Sequence, residues 1–233
     1  MGSHSIAVIV PVGADEAAPS GIFFERVRSA DGLVSLFAAV DARIRSETRE
    51  AFERAGATLF TFEEIPRGAR LLRAAALSSS SSSAEVLLFL HSDTLLPAGW
   101  DGAVRAAIAA GAAGGAFRLS FSGGGWRMRW VAFWANWRTS FTRIPYGDQA
   151  PFVRRDVYER LGGHRPWPFL EDWDFSRRVR DAGRVTLLRE RVETSPRRYL
   201  EKGVTRTVMR NWEILRKVKR GARPDELAGL YRS

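Results

Sequence analysis

The sequence of 233 residues contains no cysteine, and this absence removes several kinds of chemistry. Without a thiol there is no disulfide, no thiolate metal site, no iron–sulfur cluster and no cysteine nucleophile. Long apolar runs are also missing, since none approaches the roughly 18 residues of a membrane-spanning helix, and no basic segment precedes the first apolar run. A cytoplasmic protein is therefore expected.

Three common catalytic signatures are missing as well. The chain has neither the GxGxxG fingerprint of dinucleotide-binding domains nor the GxxxxGK phosphate loop. It also lacks a GxSxG nucleophile elbow, and His91 and His164 are the candidate histidines for a serine–histidine–aspartate arrangement. Classical dinucleotide enzymes, P-loop nucleotide hydrolases and serine hydrolases are thus poorly supported.

Length and composition are those of one large domain with a sizeable core. Apolar residues make up 45% and charged residues 27%, which is ordinary for a globular chain. Short β-branched runs alternate with helical patterns through the first half, which predicts an α/β fold with a parallel sheet. The predicted strands are 6–12, 33–40, 59–62 and 85–90, and the predicted helices are 46–55 and 67–77. Serines 78–83 are expected in an exposed loop.

A stripe of aromatic residues at helical spacing opens the second half of the chain. Its members are Trp126, Trp130, Trp134, Trp137 and Phe141. We expect a helix that turns most of these rings toward the core, and one or two rings at its end form a sugar-stacking platform in the alternative interpretation. A further helix is expected from about residue 171 to residue 182.

Positive charge is concentrated at the end of the chain. Residues 197–233 hold 11 basic and 4 acidic residues, which is +7 of the net charge of +10. From Gly203 onward an apolar helix face lies among arginines and lysines, so residues 203–233 are expected either to touch an anionic membrane surface or to pack on their own domain. A nucleic-acid partner is the least supported, because it draws on this segment alone.

Carboxylates follow two of the predicted strands. Asp41 ends the second strand, and Asp93 follows the strand 85–90, with His91 two residues earlier on the same side of an extended segment. Ligands of parallel sheets bind beyond the carboxyl ends of strands, and oxygen and imidazole ligands suit Mg²⁺ or Mn²⁺ holding a diphosphate. Taken alone, an aspartate at such a position is more often a turn former.

A second group of carboxylates opens the helix predicted from residue 171. Glu171, Asp172 and Asp174 stand where the helix dipole favours negative charge for structural reasons alone. A functional role is favoured by a polar GDQ turn at residues 147–149 and by a doubled arginine, Arg197 and Arg198, that could neutralise a phosphate.

Eight segments in a fixed order resemble glycosyltransferase family 2, and more narrowly a bacterial subgroup of small, single-domain members that read HADT where others have DxD. The segments are IVPV, VD, PRGAR, EVLLFLHSDT, IPYGDQAPFVRR, LGG, FLEDWDFSRRVR and TSPRRY. The resemblance runs from about Ile6 to Tyr231. Its most specific part is the order HSDT, GDQ, ED.

This resemblance implies a GT-A fold, which is a Rossmann-like, mixed but mainly parallel sheet flanked by helices, here with a C-terminal amphipathic helix. Residues 1–115 would form a nucleotide-binding half, 116–200 an acceptor half, and 201–233 a basic helical extension. Members of the family use a divalent cation, Mn²⁺ or Mg²⁺, and invert the anomeric carbon. A UDP-sugar donor is expected first, with a small-molecule or lipid-linked acceptor, and the enzyme could sit peripherally at the inner face of the membrane.

The resemblance also allocates roles to residues. Asp93 would hold the metal, with His91 in place of the first aspartate of DxD. Asp172 would be the general base, which Glu171 positions. Residues expected on the acceptor and donor-sugar side are Gly147, Asp148 and Gln149. Residues expected to contact the nucleotide are Pro11, Asp15, Glu16, Asp41, Arg70, Arg197 and Arg198.

The nucleotide-binding half departs from the family pattern at three places. Ala14 and Asp15 stand where the subgroup carries asparagine and glutamate, ARIRSET replaces a glycine- and serine-rich stretch after Asp41, and PRGARLLR is shorter than its counterpart. These departures motivate an alternative, a catalytically degenerate relative that binds a ligand or partner without turnover.

Overall fold

The computed structural model describes residues 4–227 as one mixed sheet of eight strands with nine α-helices. The strands are β1 (Ile6–Val12), β2 (Val34–Asp41), β3 (Thr58–Phe62), β4 (Val86–Phe89), β5 (Thr94–Leu95), β6 (Gly114–Phe121), β7 (Phe152–Arg154) and β8 (Val185–Thr194). The helices are α1 (Gly21–Arg28), α2 (Ser46–Arg54), α3 (Arg67–Ser81), α4 (Trp100–Ala109), α5 (Gly125–Thr142), α6 (Arg155–Arg160), α7 (Glu171–Ala182), α8 (Arg197–Lys202) and α9 (Val204–Lys219).

The strand order is β3-β2-β1-β4-β7-β6-β8-β5. The first four strands in this order are parallel, as the alternating strand and helix signals predict. β7 then runs antiparallel to both β4 and β6, and β8 returns parallel to β6. The predicted α/β fold with a mixed, mainly parallel sheet is confirmed, and the carboxyl ends of β1, β2 and β4 share one edge.

Helices cover both faces of the sheet, which explains why β1 is buried along its whole length. Its alternate residues enter two separate cores, Val8 and Val10 on one face and Ala7 and Ile9 on the other. The first core contains Phe23 of α1, Phe52 of α2 and Trp100 of α4, and the second contains residues of α3, α6 and α7. A strand with both faces covered reads as a continuous apolar run, which is what IAVIVPV is.

Two sequence-based expectations are wrong. The serines were expected in an exposed loop, but α3 continues through Ser81, and Ser78 is buried with its Oγ donating to the carbonyl of Ala75 at 2.7 Å. The aromatic stripe does form a helix, α5, yet its rings point away from the core, with Trp130 56% and Phe141 72% exposed.

The last helix, α9, does not bury a continuous apolar face against the domain. Thr207, Arg210 and Ile214 are its buried residues, while Trp212 is 74% exposed. Within residues 4–227, no helix combines the length and apolar character needed to cross a bilayer. The last residues of the expected extension, 228–233, lie outside the described part of the chain.

Candidate active site

The carboxyl ends of β1 and β2 are joined by Arg70 of α3. Its Nη1 donates to the carbonyl of Val12 at 2.8 Å and lies 3.7 Å from Oδ2 of Asp41. Arg43 donates from Nε to Oδ1 of Asp41 at 3.1 Å, and this hydrogen bond lowers the pKa of the carboxyl. Pro11 is buried within β1 beside this pair. The structure therefore brings three of the expected nucleotide contacts, Pro11, Asp41 and Arg70, to one edge.

The loop after β1 reaches the HSDT segment through Glu16. The hydroxyl of Ser92 donates to Oε2 of Glu16 at 2.5 Å, and the hydroxyl of Thr48 donates to its carbonyl at 3.2 Å. Asp15, the other candidate in this loop, is exposed in the turn. Glu16 thus connects the loop after β1 to the HSDT segment. Nothing in the sequence had indicated Ser92 as its hydrogen-bond partner.

Three motifs that are far apart in sequence meet at Gly147. Its N–H donates to Oδ2 of Asp172 at 2.5 Å, and the other oxygen, Oδ1, accepts from the N–H of Trp173 at 2.7 Å. A Cβ on Gly147 would lie 2.6 Å from Nε2 of His91 and 3.0 Å from Oδ2 of Asp172. HSDT, GDQ and ED therefore share one site, and any side chain at position 147 would displace His91 and Asp172 from the positions seen here.

The GDQ turn is held from behind by Gln149, which is fully buried. Its Oε1 accepts from the hydroxyl of Thr139 on α5 at 2.8 Å, and its Nε2 donates to the carbonyl of Phe117 on β6 at 3.3 Å. These bonds fix the turn to α5 and to the sheet. The side chain of Gln149 therefore anchors the turn from within the protein.

Asp148 faces a mixed electrostatic environment. Its pKa is raised to about 6, chiefly by burial; Arg138 opposes this shift, and the nearby carboxylates of Asp172 and Asp93 add to it. The guanidinium of Arg138 stacks on the ring of Tyr146 at 3.5 Å, next to this turn. The site thus contains three carboxyl groups whose charges are coupled, and sequence reasoning did not anticipate Arg138 or Tyr146.

Arg67 is another residue that the sequence analysis did not single out, although it belongs to the segment PRGAR. Its Nε lies 3.0 Å from Oε1 of Glu171, which is 1% exposed, and its Nη2 contacts Nε2 of His91. The neighbouring Gly68 allows this, because a Cβ there would lie 2.0 Å from the carbonyl oxygen of Arg165. Arg67 thus links the ED pair to HSDT.

The expected metal site is built around Asp93. Its side chain is exposed beyond β4, and its Oδ1 lies 3.5 Å from the hydroxyl of Thr194. Within residues 4–227, no three His, Cys, Asp or Glu side chains are grouped as a metal site. One exposed carboxylate nevertheless fits a Mg²⁺ or Mn²⁺ that takes its other ligands from water and a diphosphate. The chemistry of this donor set is therefore compatible with a cation that arrives with its nucleotide.

The contacts of His91 differ from those expected of the first aspartate in a DxD motif. A guanidinium is a donor only, so Nε2 of His91 accepts from Arg67 and is directed toward Arg67 and Gly147. In the neutral ring Nδ1 then carries the proton, so the lone pair of His91 is engaged by Arg67 in this structure.

The two expected phosphate arginines lie on α8. Arg197 is exposed, its Nε is 3.8 Å from Glu201, and its N–H donates to the hydroxyl of Ser195 at 3.3 Å. The N–H of Ser195 in turn donates to the carbonyl of Asp93 at 3.2 Å, which connects the start of α8 to the backbone of the expected metal ligand. The side chain of Arg198 is outside the described part of the structure.

Buried Glu171 gives the fold a pH dependence. Burial raises its pKa to about 7, although Arg67 opposes the shift. The folded protein therefore keeps this proton to higher pH than the unfolded chain, and stability falls as pH rises from about 4.5 to about 7. The unfolding free energy of the parent should fall by on the order of 3 kcal/mol between about pH 5 and about pH 8 because of this group. We expect Glu171→Gln, which has no carboxyl to titrate at this position, to lack that fall.

Denaturant unfolding at a series of pH values measures this effect. Glu190→Gln, an exposed position on β8, is the matched control and should leave the pH profile unchanged. If the unfolding free energy depends on pH equally in the parent and in Glu171→Gln, Glu171 is not the source of the pH dependence.

Comparison with known proteins identifies the class of the fold. No protein-family model and no curated protein matches the sequence. Among solved structures, a mannosyltransferase from Pyrobaculum calidifontis in complex with GDP-Man and Mn²⁺ aligns with a TM-score of 0.61 at 15% identity, covering 97% of this chain and 68% of that one. TarS of S. aureus residues 1–349 in complex with UDP aligns at 0.60 and 12% identity, covering 88% and 65%.

A third neighbour is glucosyl-3-phosphoglycerate synthase from Mycobacterium tuberculosis in complex with Mn²⁺, UDP and glucosyl-3-phosphoglycerate. It aligns with a TM-score of 0.51 at 16% identity, covering 82% of this chain and 70% of that one. The chain spans 39% of the longer TarS structure. The protein therefore has the GT-A-type fold that these glycosyltransferases share.

Proposed function

We propose that the protein is an inverting, nucleotide-sugar-dependent glycosyltransferase of the HADT subgroup of family 2. The observation that carries the proposal is the meeting of His91, Gly147 and Asp172 at the edge where β1, β2 and β4 end. The fold shared with three solved glycosyltransferases, two of them in complex with Mn²⁺, supports the same conclusion.

Asp172 is the general base in this proposal. The oxygen of the acceptor hydroxyl attacks the anomeric carbon from the side opposite the leaving diphosphate, and the bond from that carbon to the diphosphate oxygen breaks. The bonding electrons leave with the nucleoside diphosphate, and the hydroxyl proton passes to Asp172. The N–H groups of Gly147 and Trp173 orient the carboxylate. Glu171 and Arg67 position it from the buried side.

The donor lies on the other side of the site. Asp41, Glu16 and Arg70 line the nucleotide end, with Pro11 near the end of β1 and Asp15 in the loop that follows it. Arg197 and Arg198 lie toward the diphosphate. Asp93 would hold Mn²⁺ or Mg²⁺, which when bound neutralises charge on the diphosphate, and His91 would join Asp93 by exchanging its contact with Arg67 for the cation. Neighbouring structures contain GDP-Man, UDP and UDP-GlcNAc, so a UDP-sugar is the first donor to test and a GDP-sugar the second.

The two halves of the chain bind different substrates in this proposal. Residues 1–115 bind the nucleotide, and 116–200 bind the acceptor, with Gly147, Asp148 and Gln149 at the boundary. The acceptor is a small molecule or a lipid-linked hydroxyl. The protein, including its basic extension 201–233, would act at the cytoplasmic side of a membrane.

Calorimetric titration with UDP, GDP and dTDP species, with and without Mn²⁺, tests the proposal. We expect one nucleotide to bind in a metal-dependent manner, and Asp93→Asn to weaken that binding by about tenfold to a hundredfold. Asp156→Asn, an exposed aspartate on α6, is the control. No binding across the panel by a folded protein would favour the degenerate relative.

A further inference from the structure

The outward side of α5 is covered by large aromatic side chains. Its six members, here called the aromatic face, are Trp126, Trp130, Phe133, Trp134, Trp137 and Phe141. Each is about half or more exposed, from 48% for Trp134 to 72% for Phe141. Neighbouring rings touch one another along the helix, as in the pair Trp134 and Trp137 with centroids 5.3 Å apart. An exposed apolar patch of this kind marks an interaction surface.

The inward side of the same helix is small and polar. Its buried residues are Met128, Ala132, Asn136 and Thr139. Asn136 accepts from the N–H of Leu119 at 2.7 Å and donates to its carbonyl at 2.9 Å, while Thr139 bonds Gln149. The helix is therefore fixed to β6 and to the GDQ turn by hydrogen bonds. Its aromatic rings are not needed to hold it there.

Positive charge flanks the aromatic face. Arg127 and Arg129 are exposed near its beginning, Arg143 caps its end, and α5 contains no acidic residue. A second copy of this chain would bring like charges together, which disfavours self-association. A surface that offers both apolar contact and anionic groups is complementary to the face. Tryptophan and arginine are suited to that setting because each has an apolar body and a polar end.

We infer that the aromatic face docks the protein on an anionic phospholipid bilayer, with the rings at the level of the headgroups and the arginines on lipid phosphates. This assigns the contact to α5, not to the basic extension. Because Thr139 on the inward side of α5 bonds the GDQ turn, the helix would lie between that turn and a bilayer seated on its outward side.

Cosedimentation of the full chain with vesicles tests the inference. The vesicles are phosphatidylcholine alone or phosphatidylcholine with phosphatidylglycerol. We expect binding to the anionic vesicles only, weakened by salt. The triple variant Trp130→Ser, Trp134→Ser, Trp137→Ser should lose about tenfold or more of the vesicle affinity. The control is Trp212→Ser on α9, a tryptophan more exposed than any of these three, which should bind like the parent.

A charge variant tests the second half of the inference without altering the rings. Arg127→Glu with Arg129→Glu should reduce binding to the anionic vesicles by about tenfold or more. Both positions are exposed, so this variant decides the matter if the triple variant does not fold by circular dichroism.

Several results would overturn the inference. They are a parent chain that does not bind anionic vesicles, a triple variant that binds like the parent, and binding that is lost in Trp212→Ser instead. A parent dimer that the triple variant converts to a monomer would make the face a self-association surface. Because the readout is lipid binding alone, it is independent of whether the proposed transferase activity is found.

Discussion

Asp172→Asn reduces the rate of sugar transfer by about 10²- to 10⁴-fold, which is the usual contribution of a positioned general base. An asparagine keeps the shape of the side chain and can still accept the N–H of Gly147 through its oxygen. Its amide nitrogen then faces the N–H of Trp173, and it cannot take the acceptor proton. Binding of the nucleotide sugar should therefore be unchanged. Initial rates and calorimetric affinities on the same preparation separate the two effects.

The same helix offers a matched control. Asp181→Asn makes the identical substitution at an exposed position near the other end of α7 and should have the parent rate. If Asp172→Asn transfers sugar as fast as this control, Asp172 is not the base.

Gly147→Ala is expected to cost about 10²-fold in transfer, because a displacement of about 1 Å at a reacting group has an effect of this size. The added Cβ would lie 2.6 Å from His91 and 3.0 Å from Asp172, so both side chains must move. The glycine has ordinary backbone angles, so the change acts through space and not through backbone strain. Rate measurements with a folded variant test this.

Gly102→Ala on α4 is the control, because a Cβ there meets nothing within 4 Å. That variant should keep the parent rate, and its stability should not fall, because alanine is the better helix former at this position. Equal activity of the two alanine variants would mean that the three motifs do not need the close approach seen at Gly147.

Periodicity and composition were sufficient for the parallel half of the sheet. β1, β2 and β4 are short apolar runs whose residues are buried on both faces, so each is visible in the sequence without knowledge of its neighbours. The order of β6, β7 and β8 was not visible, because pairing between distant strands is set by contacts that no local pattern records. Placing Asp41 and Asp93 at strand ends followed directly from the visible strands.

The serine run shows how tertiary contacts override composition. Serine is a modest helix former, and six in a row suggest a loop. Arg155 donates to the hydroxyl of Ser78 at 3.3 Å and also contacts Ser79, while Ser78 bonds the preceding turn of the helix. These contacts from a distant part of the chain keep the last turn of α3 helical.

The aromatic stripe shows a different limit. A helical period identifies one face of α5, but it does not say which way that face points. The orientation is decided by Asn136 and Thr139, whose hydrogen bonds to Leu119 and Gln149 hold the polar side inward. A buried asparagine within an aromatic helix is the sequence feature that could have indicated this.

The candidate site was predictable as a set of motifs but not as a network. The order of HSDT, GDQ and ED indicated that His91, Asp148 and Asp172 belong together, and the structure gathers the three motifs around Gly147. The link through Arg67 to Glu171 and His91 depends on Gly68 packing against the backbone of Arg165, which only the folded chain reveals.

A crystal structure of the protein with UDP or GDP and Mn²⁺ tests the central claim most directly. The account predicts a nucleotide at the carboxyl edge of β1, β2 and β4, its base beside Asp41, and a cation shared by the diphosphate and Asp93 at about 2 Å from the carboxylate. It also predicts open space for an acceptor hydroxyl next to Asp172. A nucleotide bound elsewhere, or a cation held without Asp93, would contradict it.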